Sequence, residues 1–186
     1  MKRLILASQS PRRRELLTEA GYDFTVVPPS DSAEYGVCSG ESPAQLVARL
    51  AEQKARDVAP RVDAGIVLGC DTVAEAGGQV LGKPVDEDHA RAMLKLLRGR
   101  KHRVLSGLCL IECPAQKTQT QVAVTTLEML PLADAEVEDY LATGQWEGKA
   151  GAFGLQDRLG WVRVIEGSES NVVGLPLELL AEMLST

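Results

Sequence analysis

The sequence predicts an α/β domain, a mixed twisted sheet with flanking helices, and three observations carry that expectation. A short apolar run, Leu4–Ala7, passes directly into a helical stretch opened by Ser10 and Pro11. Two further stretches, 43–59 and 87–97, space their apolar residues at three and four. In mid-chain, Val104–Ile111 and Gln121–Leu130 read as consecutive strands joined across polar Ala115–Thr120. Such a pair is antiparallel, which a purely parallel α/β sheet does not contain.

Taken in order, Leu4–Ala7 is the first strand. Ser10 is a good N-cap and Pro11 suits the first helical position, with Leu16, Leu17 and Ala20 on one face. Phe24–Val27 is a second strand, followed by a loop over 28–43 rich in Pro, Ser and Gly. Pro43–Ala59 is a helix with Leu46, Val47, Leu50, Ala51, Ala55 and Val58 along its apolar side. Ile66–Leu68 and Thr72–Val73 flank Gly69-Cys70-Asp71, a buried strand meeting a polar end. A Gly-Gly turn leads to "LGKP", and Glu87–Leu97 is a helix burying Ala90, Met93, Leu94 and Leu97. After the strand pair come a short helix, Asp134–Thr143, with Asp134 as candidate N-cap, and the Gly-rich "AGAFGLQ". A strand, Trp161–Ile165, and a helix, Leu177–Met183, complete the chain. With no internal repeat or linker, residues 1–186 read as a single domain.

The 186 residues are enough to bury about 70% of the unfolded surface without a disulfide or metal staple. A net charge of −6 argues against nucleic-acid or anionic-membrane partners, which need a basic field. The four cysteines, Cys38, Cys70, Cys109 and Cys113, form no CxxC pair, so free thiols in a reducing compartment are expected. A strand within a few residues of Met1 leaves no room for a signal peptide, and no apolar run approaches the roughly 20 residues of a membrane span. The expectation is a soluble cytoplasmic protein.

Against that acidic background, Arg12, Arg13 and Arg14 stand in the first helical turn, where the helix dipole is already positive. Arg13 falls on the packed face. With the free N–H groups of that turn and the hydroxyls of Ser8 and Ser10, the arginines describe a phosphate site. A surface cluster pairing with Glu15 and Glu19 explains them equally well. No GxxxxGK[ST] and no GxGxxG is present, so neither a P-loop nor a Rossmann site is supported. Asp71, ending an apolar strand, suits a divalent metal or proton transfer, or else a simple capping role. Glu34 offers a second carboxylate in the preceding loop. Lys54 lies beside the apolar stripe of its helix, Lys83 is pinned in "LGKP" and Lys149 sits in "GKAGAFG". Singly each reads as a snorkelling or exposed lysine; together they favour a polyanionic substrate. His89 and His102 have no serine or cysteine at a spacing that suggests a triad.

The ordered segments "LILASQSPRRRELL", "ESPAQLVARLAEQKA", "GCDTV", "LGKP", "HARAMLKLLRGRKHRV", "GKAGAFGLQ" and "NVVGLPL" resemble the Maf family of nucleoside triphosphate pyrophosphatases over nearly the whole chain. The resemblance implies a fold akin to the inosine triphosphate pyrophosphatases, with a cleft between two lobes. It also implies metal-dependent hydrolysis (Mg²⁺, Mn²⁺ or Co²⁺) to a nucleoside monophosphate and pyrophosphate, and a homodimer. It assigns proton acceptance to Asp71, phosphate binding to Arg13, Lys54, Lys83 and Lys149, and metal binding to Asp71 and Glu34. Arg12, Thr72 and Gln156 match the branch acting on dTTP and UTP; a Gln amide suits the N3–H and O4 of a pyrimidine. Three positions depart from the family pattern: Ala33, Gly148 and Asp157. A nucleotide-binding regulator of septation, or a 7-methyl-GTP or broad-specificity pyrophosphatase, are the alternative readings.

Overall fold

A computed structural model describes residues 3–30, 40–157 and 159–185, apart from the side chain of Gln156. The elements are β1 (Leu4–Ala7), α1 (Pro11–Glu19), β2 (Phe24–Val26), α2 (Pro43–Val58), β3 (Gly65–Ala76), β4 (Gln79–Leu81), α3 (Glu87–Leu97), β5 (Lys101–Cys113), β6 (Lys117–Met129), α4 (Asp134–Ala142), β7 (Val162–Glu166), α5 (Glu169–Val173) and α6 (Leu177–Leu184). Strand order is β2-β1-β3-β5-β6-β7, with β4 also on β3. The first three strands are parallel and the rest antiparallel, so the sheet is mixed as the sequence predicts.

The local patterns explain most boundaries. Ser42 caps α2 through its side chain, and Gln45 returns the bond to the Ser42 N–H, a reciprocal capping box. Asp86 caps α3 by accepting from the His89 N–H. Four expectations need correction. β3 is a strand of twelve residues in which Asp71 is not the end, because the ladder to β5 runs from Gly65 to Glu75 and needs no side chain to continue. Asp134 is the first helical residue, and Ala133 occupies the cap position. Ala20 is exposed, so α1 buries only Arg13 and Leu17. The five-residue helix α5 has no counterpart in the sequence reading.

Two apolar clusters lie on the same face of the long strands, at opposite ends. Leu68, Cys70, Leu108 and Leu110 join α1 and α6 residues at one end; Ala74 and Val104 join α3 and α4 residues at the other. Between them the face turns polar at Thr72 and its cross-strand partner Ser106. The opposite face repeats the pattern under α2, with a cluster around Val67 and Ile111 and another around Val73 and Leu105. Between these stand Gly69 and the cross-strand pair Asp71 and Gly107. A Cβ on Gly69 or Gly107 would fall 2.1 Å from the carbonyl oxygen of Ala51 or Val47, so α2 rests directly on the backbone there.

Candidate active site

The site arises from unequal strand lengths. β1 stops beside β3 at the pair Ala7 and Gly69, and β4 takes up the same edge only at Ala74 and Leu81. Residues Cys70–Val73 therefore have no partner strand on that edge. A cleft of about 870 Å³ opens there and collects side chains from both faces of β3. It is lined by Ser8, Ser10, Arg12, Arg13, Lys54, Asp71, Thr72, Lys83 and Lys149 among others, so nine of the sequence-predicted site residues converge on one place. Glu34 and the side chain of Gln156 lie outside the described residues, as do Ala33 and Cys38.

On the α2 face, Lys54 Nζ donates to Asp71 Oδ1 at 2.6 Å, with both side chains largely buried. This reach depends on the close approach of α2 over Gly69 and Gly107. Among the described residues Asp71 Oδ2 makes no hydrogen bond, so one carboxylate oxygen is fixed and the other is available.

On the other face Arg13 is 9% exposed, and its guanidinium is largely committed. Nε donates to the Gly174 carbonyl at 2.9 Å, and Nη1 donates to the Cys70 carbonyl at 2.7 Å and to Ser8 Oγ at 3.1 Å. Nη2 donates to Thr72 Oγ1 at 3.3 Å. Of its five N–H donors, four are engaged among the described residues. Thr72 Oγ1 also lies 2.7 Å from Ser106 Oγ and 3.3 Å from the Gly174 carbonyl. Arg13 thus ties α1, the open edge of β3 and the end of α5 together. Gly174 and Ser106 were not singled out by the sequence reading; the "NVVGLPL" segment carried the signal for the first. Burial raises the pKa of the Cys70 thiol, which contacts the same Gly174 carbonyl. The described cysteines, Cys70, Cys109 and Cys113, are free and buried.

The cleft's outer rim is a pair of loops. Gly151 N–H donates to the Gly82 carbonyl at 3.1 Å, joining the segment that carries Lys149 to the one that carries Lys83. Lys83 is exposed and, among the described residues, makes no ion pair. Lys149 Nζ is held by Asp157, whose carboxylate also accepts from Tyr140 Oη at 2.8 Å and from the Gly154 N–H at 3.1 Å. Asp157, one of the family departures, therefore braces the loop. The Tyr140 hydroxyl is pushed far above its usual pKa by burial and by the adjacent carboxylate. Arg12 donates to the Gly148 carbonyl, and burial, with the nearby Arg13 charge, lowers its pKa. Ser10 N–H donates to Ser8 Oγ at 3.2 Å; the Ser10 side chain makes no cap bond.

Five cations thus face the cleft, where Asp71 is the one lining carboxylate among the described residues. A metal cage of three or more His, Cys, Asp or Glu side chains is absent among the described residues. The donor set fits instead a hard cation that shares one carboxylate oxygen with the oxygens of a bound phosphate chain.

The whole described length corresponds to a known family, since the Maf-like protein model matches residues 3–186. The chain belongs to the Maf family. A dTTP/UTP pyrophosphatase of Rhodopirellula baltica is 54% identical over 182 residues, covering 97% of this chain and 80% of that protein. One from Symbiobacterium thermophilum is 43% identical over 186 residues, covering 100% of this chain and 94% of the relative. Among solved structures, a HAM1 protein from Coxiella burnetii matches 100% of this chain and 99% of its own at 16% identity and a TM-score of 0.54. That likeness supports the expected fold and nothing further. Among the described residues no helix is long and apolar enough to cross a membrane.

Proposed function

We propose that this Maf protein hydrolyses nucleoside triphosphates between the α- and β-phosphates, releasing a nucleoside monophosphate and pyrophosphate, with dTTP and UTP as preferred substrates. One observation carries the reading. Among the described residues, an acidic protein gathers five cations around one lining carboxylate, whose second oxygen makes no hydrogen bond there, in a family whose similar members are named dTTP/UTP pyrophosphatases. Lys83 and Arg12 hold the triphosphate and stabilise the charge that develops on departing pyrophosphate. Asp71, with Oδ1 fixed by Lys54, presents Oδ2 to a water and takes its proton as the water attacks the α-phosphorus. Arg13 positions Ser8 and Thr72 and offers its remaining N–H to a phosphate oxygen. A divalent cation held by Asp71, Glu34 and the phosphates would supply Lewis-acid stabilisation of the same charge. The proposed setting is the cytoplasm, with one domain over residues 1–186, no nucleic-acid or membrane partner, and a homodimer as assembly.

The test is pyrophosphate release from purified protein with Mg²⁺ and a panel of triphosphates. dTTP and UTP turn over fastest, and chelation by EDTA abolishes release. No release from any triphosphate would refute the enzyme reading in favour of a nucleotide-binding regulator. Comparable rates on GTP or 7-methyl-GTP would remove the pyrimidine preference.

A further inference from the structure

Two lysines of the cleft are each held by an aspartate, and the two pairs meet the ligand space differently. Lys54 is held by Asp71, which lines the cleft with it. Lys149 also lines the cleft, but its partner Asp157 is set back from the wall. The Asp157 side chain is 4% exposed and that of Lys149 11%. Asp157 has donors besides the lysine. Its Oδ2 accepts from Tyr140 Oη at 2.8 Å and from the Gly154 N–H at 3.1 Å, so the carboxylate keeps two hydrogen bonds if the ammonium turns away. Its surroundings are firmly packed as well. The Tyr140 ring lies 5.7 Å from that of Phe153 and 5.4 Å from that of Trp161, centroid to centroid. The lysine, a point charge on a flexible stem, is therefore the movable member of the pair.

We infer that Asp157 is a built-in competitor for Lys149: its carboxylate occupies the ammonium that a phosphate chain would otherwise hold, and so weakens the grip of the cleft on pyrophosphate. The inference rests on the triphosphate reading and extends it to product release. A polyanion reaching Lys149 must displace a carboxylate already bound there, and exchanging one buried partner for another gains little. The carboxylate left beside the phosphate also repels it. The same charge reaches a second cation of the cleft: burial and Arg13 lower the Arg12 pKa, and Asp157 opposes them. Pyrophosphate carries most of the anionic charge of the triphosphate, so a cleft built only of cations would retain it. Product release limits turnover in many enzymes, and an internal anion that takes back the lysine speeds that step.

Titration calorimetry with inorganic pyrophosphate and Mg²⁺ measures the competition without turnover. Asp157→Asn removes the charge, while its amide oxygen still accepts from Tyr140 and Gly154. Pyrophosphate is expected to bind this variant about tenfold more tightly than the parent, a modest effect for a close charge pair. Adding Lys149→Met to it abolishes the gain. Tyr140→Phe removes a donor from Asp157 but leaves the ion pair, so it gives no tightening. Damage to a braced loop weakens binding, so a gain of affinity separates competition from bracing. Asp157→Gly, with the same expected sign, replaces the asparagine variant should the latter not fold.

Pyrophosphate binding that is unchanged or weaker in the folded Asp157 variant overturns the competitor and leaves Asp157 as a brace. A gain that survives Lys149→Met also overturns it, as does an equal gain in Tyr140→Phe. Tighter, Lys149-dependent binding in a protein that hydrolyses no triphosphate sustains the competitor and refutes the hydrolytic reading. Unchanged binding in a protein that hydrolyses dTTP does the reverse, so the two failures are distinguishable.

Discussion

The two faces of β3 at its open edge are polar for different reasons. On the α2 face, Lys54 holds Asp71 through one carboxylate oxygen, and the other oxygen makes no hydrogen bond among the described residues. On the opposite face, one residue along, Thr72 and Arg13 belong to a network that reaches Ser8, Cys70, Ser106 and Gly174 and, among the described residues, leaves a single arginine N–H spare. Both faces hold a buried cation near the same strand. The lysine is poised against a reactive group, while the arginine is built into the frame. A buried charge supported by several carbonyls and hydroxyls is difficult to move, which suits a group that fixes geometry. The expected separation is that changes on the first face alter rate and changes on the second alter stability.

The sharpest way to break the comparison is Asp71→Asn. The amide oxygen still accepts from Lys54, so the fold is kept, while the proton acceptor is gone. The rate of pyrophosphate release is expected to fall on the order of 10²–10⁴-fold, with nucleotide binding retained. Full activity in this variant would remove Asp71 from the chemistry. Arg13→Met is the counterpart. It leaves the Gly174 and Cys70 carbonyls without their charged donor and is expected to cost on the order of 3 kcal/mol in urea unfolding. An unchanged unfolding midpoint with lost activity would make Arg13 a phosphate ligand first and a strut second.

Gly107→Ala probes what brings Lys54 to Asp71. The added Cβ would meet the Val47 carbonyl, so α2 must lift from the sheet. Destabilisation of about 1–3 kcal/mol is expected from such overpacking, together with reduced activity as the lysine withdraws. Equal stability and activity would show that α2 has slack at this point.

The sequence exposed the cleft better than it exposed the roles within it. Apolar periodicity marked α2 and α3 closely because each buries a continuous stripe under strong capping residues. "GCDTV" and "LGKP" were visible because polar or small residues interrupt apolar runs. Asp71 was read as the polar end of its strand, whereas β3 runs on past it, because strand continuity is set by the partner β5, which is distant in sequence. Arg13 looked like a phosphate ligand from its helical position, since its acceptors on Cys70 and Gly174 are distant in sequence and are carbonyls that any residue supplies. Asp157 stood out only as a departure, and its partner Tyr140 lies on another element. His102 lies within the segment "HARAMLKLLRGRKHRV", yet its burial was not legible there, because burial is a property of the folded surroundings.

The smallest expected effect also concerns His102. Burial lowers its pKa from the ordinary 6.5, opposed weakly by the Arg100 backbone. The unfolded chain therefore binds the proton more tightly than the native state does. Between the lowered native value and about 6.5 the unfolded state holds more protons, so stability rises with pH through that window and is fully present above it. Acidification below 6.5 withdraws the contribution as His102 is forced to charge in an apolar setting. Urea unfolding at a series of pH values checks this: a His102→Gln variant, which has no imidazole to protonate, is expected to show a shallower loss of stability on the acid side than the parent. Parallel curves would mean that the imidazole is protonated alike in both states, and the apolar setting assigned to His102 would fall with it.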